Sequence, residues 1–544
     1  MRKISEVLLA GLFVLAVSMQ VMSCAGVPAA GARKGASEDP DADVFSGVVT
    51  IPASRFKYPE RADYTVTFDK KLSVPEKKLP VIKIESTENN HSLAFAAVPI
   101  SHHVKDAQKS WWDFSNNNTP DPWYEKCNIS VDDKLVGKGQ VKVRGNWTTS
   151  YEKKSFRIKF DDKQKMLGLN NGKAFKNWVL LSCYKDASML RDAAALKMYK
   201  TLFPEYYASD CQLVEVYIND VYWGVYLLAE QQETKKNRIG ITEPEKNSAD
   251  TNIGYFIEYD TYYTSEVSEE VFEIDYRGKL KDYDNNTLNQ PQKGYTIKSD
   301  ITNPSQRDFI AGYMNRLWKI CYDASYNKKY YRFNAEYRLE EYTPEGSDDD
   351  ERCRNCISEI IDLKSLADMY IFNELICDPD LYLTSFLMDI DFGEGGDKLL
   401  RFEAPWDFDS TMGNKRHCAD AQGMFAGKTQ YEVNFGEKGY ANPWMVIFIN
   451  QSWFQKLVQA DWQARDVEGA KAAAVAVIEK YTGYSDCMEN NRTRWGNPGD
   501  NEELNPASQT AAKASQAAAA TYLKDWLKKR FTAVDSVISG LTTK

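Results

Sequence analysis

Strand-patterned runs and longer helix-patterned runs are mixed along this chain without a regular strand–helix–strand rhythm, which predicts the α+β class. The clearest strand is residues 155–160. Phe156, Ile158 and Phe160 share one face, and Ser155, Arg157 and Lys159 the other. Val141-Lys142-Val143-Arg144 also alternates and runs into Gly145-Asn146. Residues 45–135 form a strand-rich section, with Tyr64-Thr65-Val66-Thr67-Phe68 and Leu79-Pro80-Val81-Ile82-Lys83-Ile84 as its best runs. Residues 214–218 and 221–228 read as strands joined by a hairpin turn at Asn219-Asp220. The aromatics on that hairpin (Tyr217, Tyr222, Trp223 and Tyr226) read as core packing.

A helix is predicted over residues 186–201, with Pro204 as its stop. Another begins at Ile357, carries Leu363, Leu366, Ala367 and Tyr370-Ile371-Phe372, and breaks near Asp378-Pro379. The last helix is capped by Asn505, has Pro506 at its first position and ends at Gly540. Its buried stripe is Leu523, Trp526, Leu527, Val534, Val537 and Ile538. Residues 323–356 are rich in Tyr, Lys and acids, lack periodicity and read as an insertion. No internal repeat is evident.

Charge and composition narrow the function. With 68 basic and 78 acidic residues the net charge is −10, which argues against a nucleic-acid partner. Four His argue against a His-built metal centre, and His102-His103 and His417 earn no metal reading. Arg2 and Lys3 precede an apolar run over residues 7–21, interrupted upstream by Glu6. The run is shorter than the roughly 20 residues that span a bilayer, so residues 1–23 read as a secretory leader. Val21-Met22-Ser23-Cys24 resembles a lipobox, which makes Cys24 the lipid-bearing anchor of an exported protein at the bacterial cell envelope or surface. Residues 24–44 then serve as a flexible tether. Of ten Cys, nine remain after Cys24, an odd number. The single pair Cys353-Arg354-Asn355-Cys356, in an acidic and loop-like setting, is read as structural rather than as a zinc site.

Two acidic segments carry the chemistry. Asp378-Pro379-Asp380 is followed by Ser385, five residues after Asp380, and then by Pro405-Trp406-Asp407-Phe408-Asp409. One acid that orients a hydroxyl, a polar ligand five residues on and a later acid that holds Mg²⁺ is the logic of phosphoryl transfer in protein kinases. The roles must be separate, because a carboxylate that neutralises Mg²⁺ is poorly placed to receive the nucleophile's proton. Acids in loops more often cap helices or face water, so these two segments alone do not decide the matter.

The wider chain resembles the CotH kinase family, the spore coat protein H-like secretory kinases. The likeness is carried by Arg144-Gly145-Asn146-Trp147-Thr148 and Lys153-Lys154-Ser155-Phe156-Arg157-Ile158-Lys159-Phe160. It continues through Trp178-Val179-Leu180-Leu181 with Asp186, Ser188 and Leu190-Arg191. Val216-Tyr217-Ile218-Asn219-Asp220-Val221-Tyr222-Trp223-Gly224-Val225-Tyr226 with Glu230 follows in order. Gly254-Tyr255-Phe256-Ile257-Glu258, Thr296-Ile297-Lys298-Ser299, Pro405-Trp406-Asp407-Phe408-Asp409 with Gly413-Asn414, and the closing Leu523, Trp526-Leu527 and Arg530 complete it. It spans roughly residues 75–540.

The resemblance implies an atypical protein-kinase-like fold over residues 136–544 that uses ATP with Mg²⁺ or Mn²⁺ to phosphorylate Ser of a protein. By position, Asp380 is the catalytic aspartate and Asp407 the metal-binding one, with Asp409 as a second ligand or a partner of backbone donors. Ser385 stands where the family commonly has an Asn metal ligand. Lys159 is the nucleotide-phosphate lysine, with Lys153 and Lys154 as rivals. Arg144 opens the glycine turn near the phosphates, and Glu230 sits where a kinase hinge meets adenine. Trp147 replaces a small residue, the segment Gly393-Glu394-Gly395-Gly396 lengthens the gap between Asp380 and Asp407, and the helix over 186–201 contains Asp186 and Asp192 but no Glu. These departures keep open a catalytically inactive surface scaffold or adhesion protein of the same fold. A carboxylate-pair glycoside hydrolase is a third, weaker reading.

Overall fold

The computed structural model describes residues 39–50, 68, 70–88, 92–97, 124–145, 148, 151–276, 278–288, 291–417, 419–431, 439–496, 499 and 503–542. The leader, Cys24, His102-His103, Trp147 and the strand expected over 64–67 lie outside the described residues.

Seven strands close into a barrel: β1 (Val81–Ser86), β2 (Glu125–Val131), β3 (Lys134–Arg144), β4 (Ser155–Gln164), β5 (Phe175–Leu181), β6 (Cys211–Ile218) and β7 (Val221–Glu230). The spatial order is β1-β2-β3-β4-β5-β7-β6. The ring closes where β1 runs parallel to β6, with Val81 opposite Glu215, and its other neighbours are antiparallel. Alternation fills the interior: Ile82, Ile84, Ile129, Val141, Phe156 and Ile158 are fully buried there. Lys159 falls on the exposed side of β4.

β5 and β7 are covered on both faces. Trp178, Leu180, Tyr226 and Leu228 belong to the barrel core. Val179, Leu181, Val225 and Leu227 belong to the core of the helical body. A strand buried on both faces needs apolar residues at nearly every position, which explains the almost continuous hydrophobic run of the predicted hairpin. Its turn is made by Asn219 and Asp220 at φ 47° and 62°, the left-handed pair that a two-residue connection requires.

A second, antiparallel sheet is built from β8 (Gly254–Tyr259), β9 (Val271–Glu273), β10 (Gly294–Ile297) and, beyond the short hairpin β11 (Tyr331–Phe333) and β12 (Leu339–Glu341), β13 (Phe386–Asp391). Its order is β13-β8-β10-β9. The helical body comprises α1 (Arg191–Leu202), α2 (Pro304–Tyr322), α3 (Asp349–Ser358), α4 (Leu363–Ile376), α5 (Pro443–Ile449), α6 (Ser452–Ala464), α7 (Val467–Thr482), α8 (Ser485–Trp495), α9 (Pro506–Ala514) and α10 (Gln516–Ser539). The protein is a mixed α+β structure, strand-rich towards the N-terminus and helical towards the C-terminus.

Four expectations need correction. The helix expected from Ile357 starts at Leu363, where the Asp362 carboxylate accepts the Ser365 amide as its cap, and Ile357 belongs to the preceding α3. The helix expected from residue 186 starts at Arg191, because the Asp186 carboxylate folds the preceding residues into a turn by accepting the amides of Ser188, Leu190 and Arg191. The final helix is two: Ser515 ends α9 in an extended conformation, and its hydroxyl accepts the Ala518 amide to cap α10. Cys353 and Cys356 lie on a helix rather than a loop, both buried and both free thiols. Asp348 caps that helix, and Asp349, Asp350 and Glu351 suit the positive end of its dipole.

Candidate functional site

The site is assembled from three turns at the seam between barrel and helical body. The first follows β5. Asp186 is fully buried, accepts the Ser188 hydroxyl at 2.7 Å as well as the three amides, and pairs with Arg191 at 2.5 Å. Arg191 Nε in turn donates to the Thr411 carbonyl at 3.0 Å, tying this turn to the one that bears Asp407 and Asp409. One residue into α1, Asp192 Oδ1 accepts the Phe408 amide at 2.8 Å and so fixes the peptide between those two acids.

The second turn carries Asp407 at φ 69°, a left-handed conformation that a non-glycine residue adopts at a cost of about 1–3 kcal/mol, and one that clusters at functional sites. Gly413, at φ 71°, closes it against α10, where a Cβ would lie 2.4 Å from the Trp526 ring. Asn414 Nδ2 bridges the carbonyls of Asp409, at 2.6 Å, and Lys185, at 3.3 Å, and its own oxygen accepts the Ser508 hydroxyl at 2.6 Å. The α9 cap Asn505 donates to the carbonyls of Gly413, Asn414 and Lys415. The backbone under the acids is therefore held from both ends.

The third turn begins where α4 stops at Cys377, φ 52°. A single 3₁₀ turn, Pro379–Tyr382, follows, and its cap is Asp378, whose carboxylate accepts the Asp380 amide at 2.9 Å. Asp380 is thereby relieved of a capping role. Its carboxylate has no hydrogen-bond or ion-pair partner among the described residues, and neither has that of Asp407.

These acids share one electrostatic environment. Burial pushes the Asp407 carboxyl well above the usual range, with Asp409, Asp380 and Asp192 adding to the rise and Lys185 opposing it. Burial and then Asp380 do the same to Asp378, with Asp407 contributing. Asp192 is pushed up to about 7 by burial and by Asp409. Arg144, at the end of β3, lies 5.5 Å over the Trp406 ring, and its guanidinium is lowered by burial against the pull of Asp407 and Glu258. Asp380, Asp407, Asp409 and Arg144 thus come together in one recess.

The other predicted residues are placed differently. Ser385, at φ 58°, donates its amide to Glu258 Oε1 at 3.0 Å, and Glu258 pairs with Lys298 at 2.8 Å, next to the recess through Arg144. Lys159 is exposed on the outside of β4 and forms no ion pair among the described residues. Lys154 is buried, donates to the Tyr151 carbonyl at 2.7 Å and is pushed down to about 8 by burial. Its rival Lys153 is also buried and donates to the carbonyls of Ser182 and Val225, with its ammonium 4.4 Å from the Tyr226 ring centre. Glu230 is buried in a finished network, accepting Arg238 Nε at 3.1 Å, the Asp210 amide at 2.9 Å and the Asn170 side-chain amide.

Two members of the recess escaped the sequence reading. In the sequence Asp192 reads only as an acid of a helix lacking Glu, and Lys185 lies off the β4 segment on which the phosphate lysine is expected. Lys185 sits in the turn after β5, directly before Asp186, and its ammonium lies 3.3 Å from Asp409 Oδ1. Its place inside the Trp178 to Arg191 block was the available signal.

The donor chemistry of the recess fits Mg²⁺ or Mn²⁺. Hard carboxylate oxygens without internal partners are what such an ion takes, usually one or two from the protein with the rest from water and phosphate. Among the described residues no three His, Cys, Asp or Glu side chains are already gathered on one point. Behind the 183–189 turn, a cavity of about 30 Å³ is lined by Lys153, Cys183, Asp186, Met189, Asn491 and Trp495. It has room for about one water, not for a nucleotide.

Fold and recess define a mixed α+β protein with a carboxylate-lined site where a closed barrel meets a helical body. The family model described as CotH kinase protein matches residues 141–534, most of the chain, and the chain belongs to the CotH kinase family. The family read from the ordered motifs is thereby borne out, and membership supports a general kinase-like function. No curated protein matches the chain. Among the described residues no helix is long and apolar enough to cross a membrane.

Proposed function

We propose that this chain is an exported CotH-type kinase that transfers the γ-phosphate of ATP to a hydroxyl, the Ser of a protein, with Mg²⁺ or Mn²⁺. One observation carries the reading: Asp380 and Asp407, far apart in sequence, lie in one electrostatic field while their carboxylates lack internal partners. Asp380 accepts the proton of the acceptor hydroxyl as its oxygen bonds to the γ-phosphorus. The bond from that phosphorus to the β–γ bridging oxygen breaks, and ADP leaves. Asp407, with Asp409 and Ser385, would hold the divalent ion, which when bound neutralises charge on the phosphates. Arg144, 5.5 Å over the Trp406 ring, adds positive charge within the field of Asp407. Residues 1–23 direct export, Cys24 anchors the chain to the membrane through the tether 24–44, and residues 136–544 form the kinase-like domain, whose barrel is closed by β1 and β2 of the preceding strand-rich section.

The test is Asp380→Ala, followed by intact mass after incubation with ATP and Mn²⁺. Autophosphorylation should fall at least about 100-fold, the scale of a lost general base, while the ATP-induced rise in Tm persists. Transfer at the wild-type rate would show that the proton goes elsewhere. A second reading, a nucleotide-binding scaffold without transfer, is favoured by Ser385, whose amide is engaged by Glu258 and whose hydroxyl replaces an amide ligand. It predicts the Tm rise without any gain of mass in the wild type.

A further inference from the structure

Among the described residues, Lys185 alone of the cations around the recess forms an ion pair with a proposed metal ligand. Its ammonium and the Asp409 carboxylate are both nearly buried, 7% and 9% exposed, and meet through one 3.3 Å contact. An ammonium has three donors, so a single contact leaves capacity for a second anion. Its field reaches Asp380, Asp407 and Tyr262, which places the charge towards the middle of the recess. The backbone beneath is rigid, since Asn414 holds the Lys185 carbonyl and the neighbouring Asp186 is saturated. The four-carbon stem can still swing. The lysines of β4 and the residues before it lack this freedom or this position. Lys153 and Lys154 donate to carbonyls, and Lys159 faces outward.

We propose that Lys185 is a charge-exchange residue: it neutralises Asp409 in the ligand-free protein and moves to the terminal phosphate when ATP binds, releasing Asp409 to the divalent ion. This rests on the nucleotide reading above and names the phosphate-contacting lysine of that site. The physical requirement is simple. Carboxylates crowded into a half-buried recess need a counter-ion before the metal arrives. Once metal and triphosphate enter together, Asp409 gains a divalent partner and the ammonium gains a phosphate, so no charge is left unpaired. Lys185 and a divalent ion therefore compete for Asp409 when nucleotide is absent, and cooperate when it is present.

The consequence is a pair of effects of opposite sign. In the full-length protein, Lys185→Met should tighten binding of Mn²⁺ alone, read by electron paramagnetic resonance of the free ion, by about 10-fold. The same variant should weaken binding of ATP at saturating Mn²⁺, read by calorimetry, by about 10- to 100-fold, the scale of one lost charge-assisted contact. Lys185→Arg should restore most of the ATP affinity. A ligand-free melting curve for each variant checks that the chain is folded. If Lys185 is only a structural ion pair, Lys185→Met will move both affinities down together or neither, and the proposal is overturned. If Lys185→Met unfolds, Asp409→Asn serves instead: with Lys185 no longer held by a carboxylate, metal-free binding of ATP should tighten while affinity for Mn²⁺ falls, and metal-free ATP binding that is unchanged or weaker overturns the proposal. A wild type that binds Mn²⁺ but no ATP would end the nucleotide reading and this proposal with it. A wild type that binds both, with unchanged Lys185 variants, would end this proposal alone.

Discussion

Glu230 is a fully buried carboxylate and Asp407 a half-buried one, and their surroundings differ in kind. Glu230, at the end of β7, is enclosed by Arg238, Asn170 and the Asp210 amide, and Arg238 is itself packed 3.8 Å over the Phe175 ring. Asp407 stands on a left-handed backbone among Asp409, Asp380 and Asp192, with no hydrogen bond to its oxygens among the described residues. A buried charge whose donors are all supplied by its own chain holds the fold. One whose neighbours are of its own sign, and whose backbone is fixed at some cost, is prepared for something that arrives later.

That contrast is broken most forcefully by removing each carboxylate in turn. Glu230→Ala removes the acceptor of Arg238 Nε, of the Asp210 amide and of Asn170, leaves Arg238 with Glu233 alone at 3.0 Å, and should cost about 3 kcal/mol in a urea denaturation series. Asp407→Asn should act in the other direction and stabilise the ligand-free protein by on the order of 1 kcal/mol, since a neutral isostere relieves the repulsion. The sign of its pH dependence follows. The folded-state carboxyl of Asp407 lies above the usual range, so the unfolded chain ionises first as pH rises. The wild type then loses stability from about pH 4 upwards, where an ordinary Asp titrates. The advantage of Asp407→Asn should grow as pH rises from about 4 and vanish as pH falls back towards 4. Equal destabilisation by both variants would erase the distinction between the two regions.

A smaller effect sharpens it. Ser385 occupies the left-handed region, which Asn tolerates well. Ser385→Asn should leave stability within about 0.5 kcal/mol of wild type and should tighten binding of Mn²⁺ with ATP a few-fold. Weaker binding would mean that the hydroxyl, or the Glu258 contact, is the feature the site uses.

The sequence made some of this legible and hid the rest for physical reasons. The alternation of β4 and the Asn219-Asp220 hairpin are local patterns, and they appear as expected. Barrel closure depends on β1 meeting β6 in parallel, a non-local pairing that alternation in either strand does not encode. The split between α9 and α10 was masked by an alanine-rich stretch with no Gly or Pro, in which one serine hydroxyl serves as cap. Asp348 and the three acids after it were a readable helix start for the CxxC segment, obscured by the irregular composition around them. At the candidate site, spacing and the flanking Pro, Trp and Phe are what mark Asp380 and Asp407 in the sequence. Lys185 was missed because a lysine's role depends on what lies across the recess, and that is set by Asn414, Arg191 and the turn after β5.

The central claim is that the acids at the seam form a metal–nucleotide site, and thermal unfolding with Mg²⁺ and millimolar ATP tests it most directly. The account predicts that the Tm of the wild type rises by several degrees, as mass action requires of a ligand bound only by the folded state, and that Asp407→Ala abolishes the rise. An unchanged wild-type curve, or the same rise in Asp407→Ala, would contradict it.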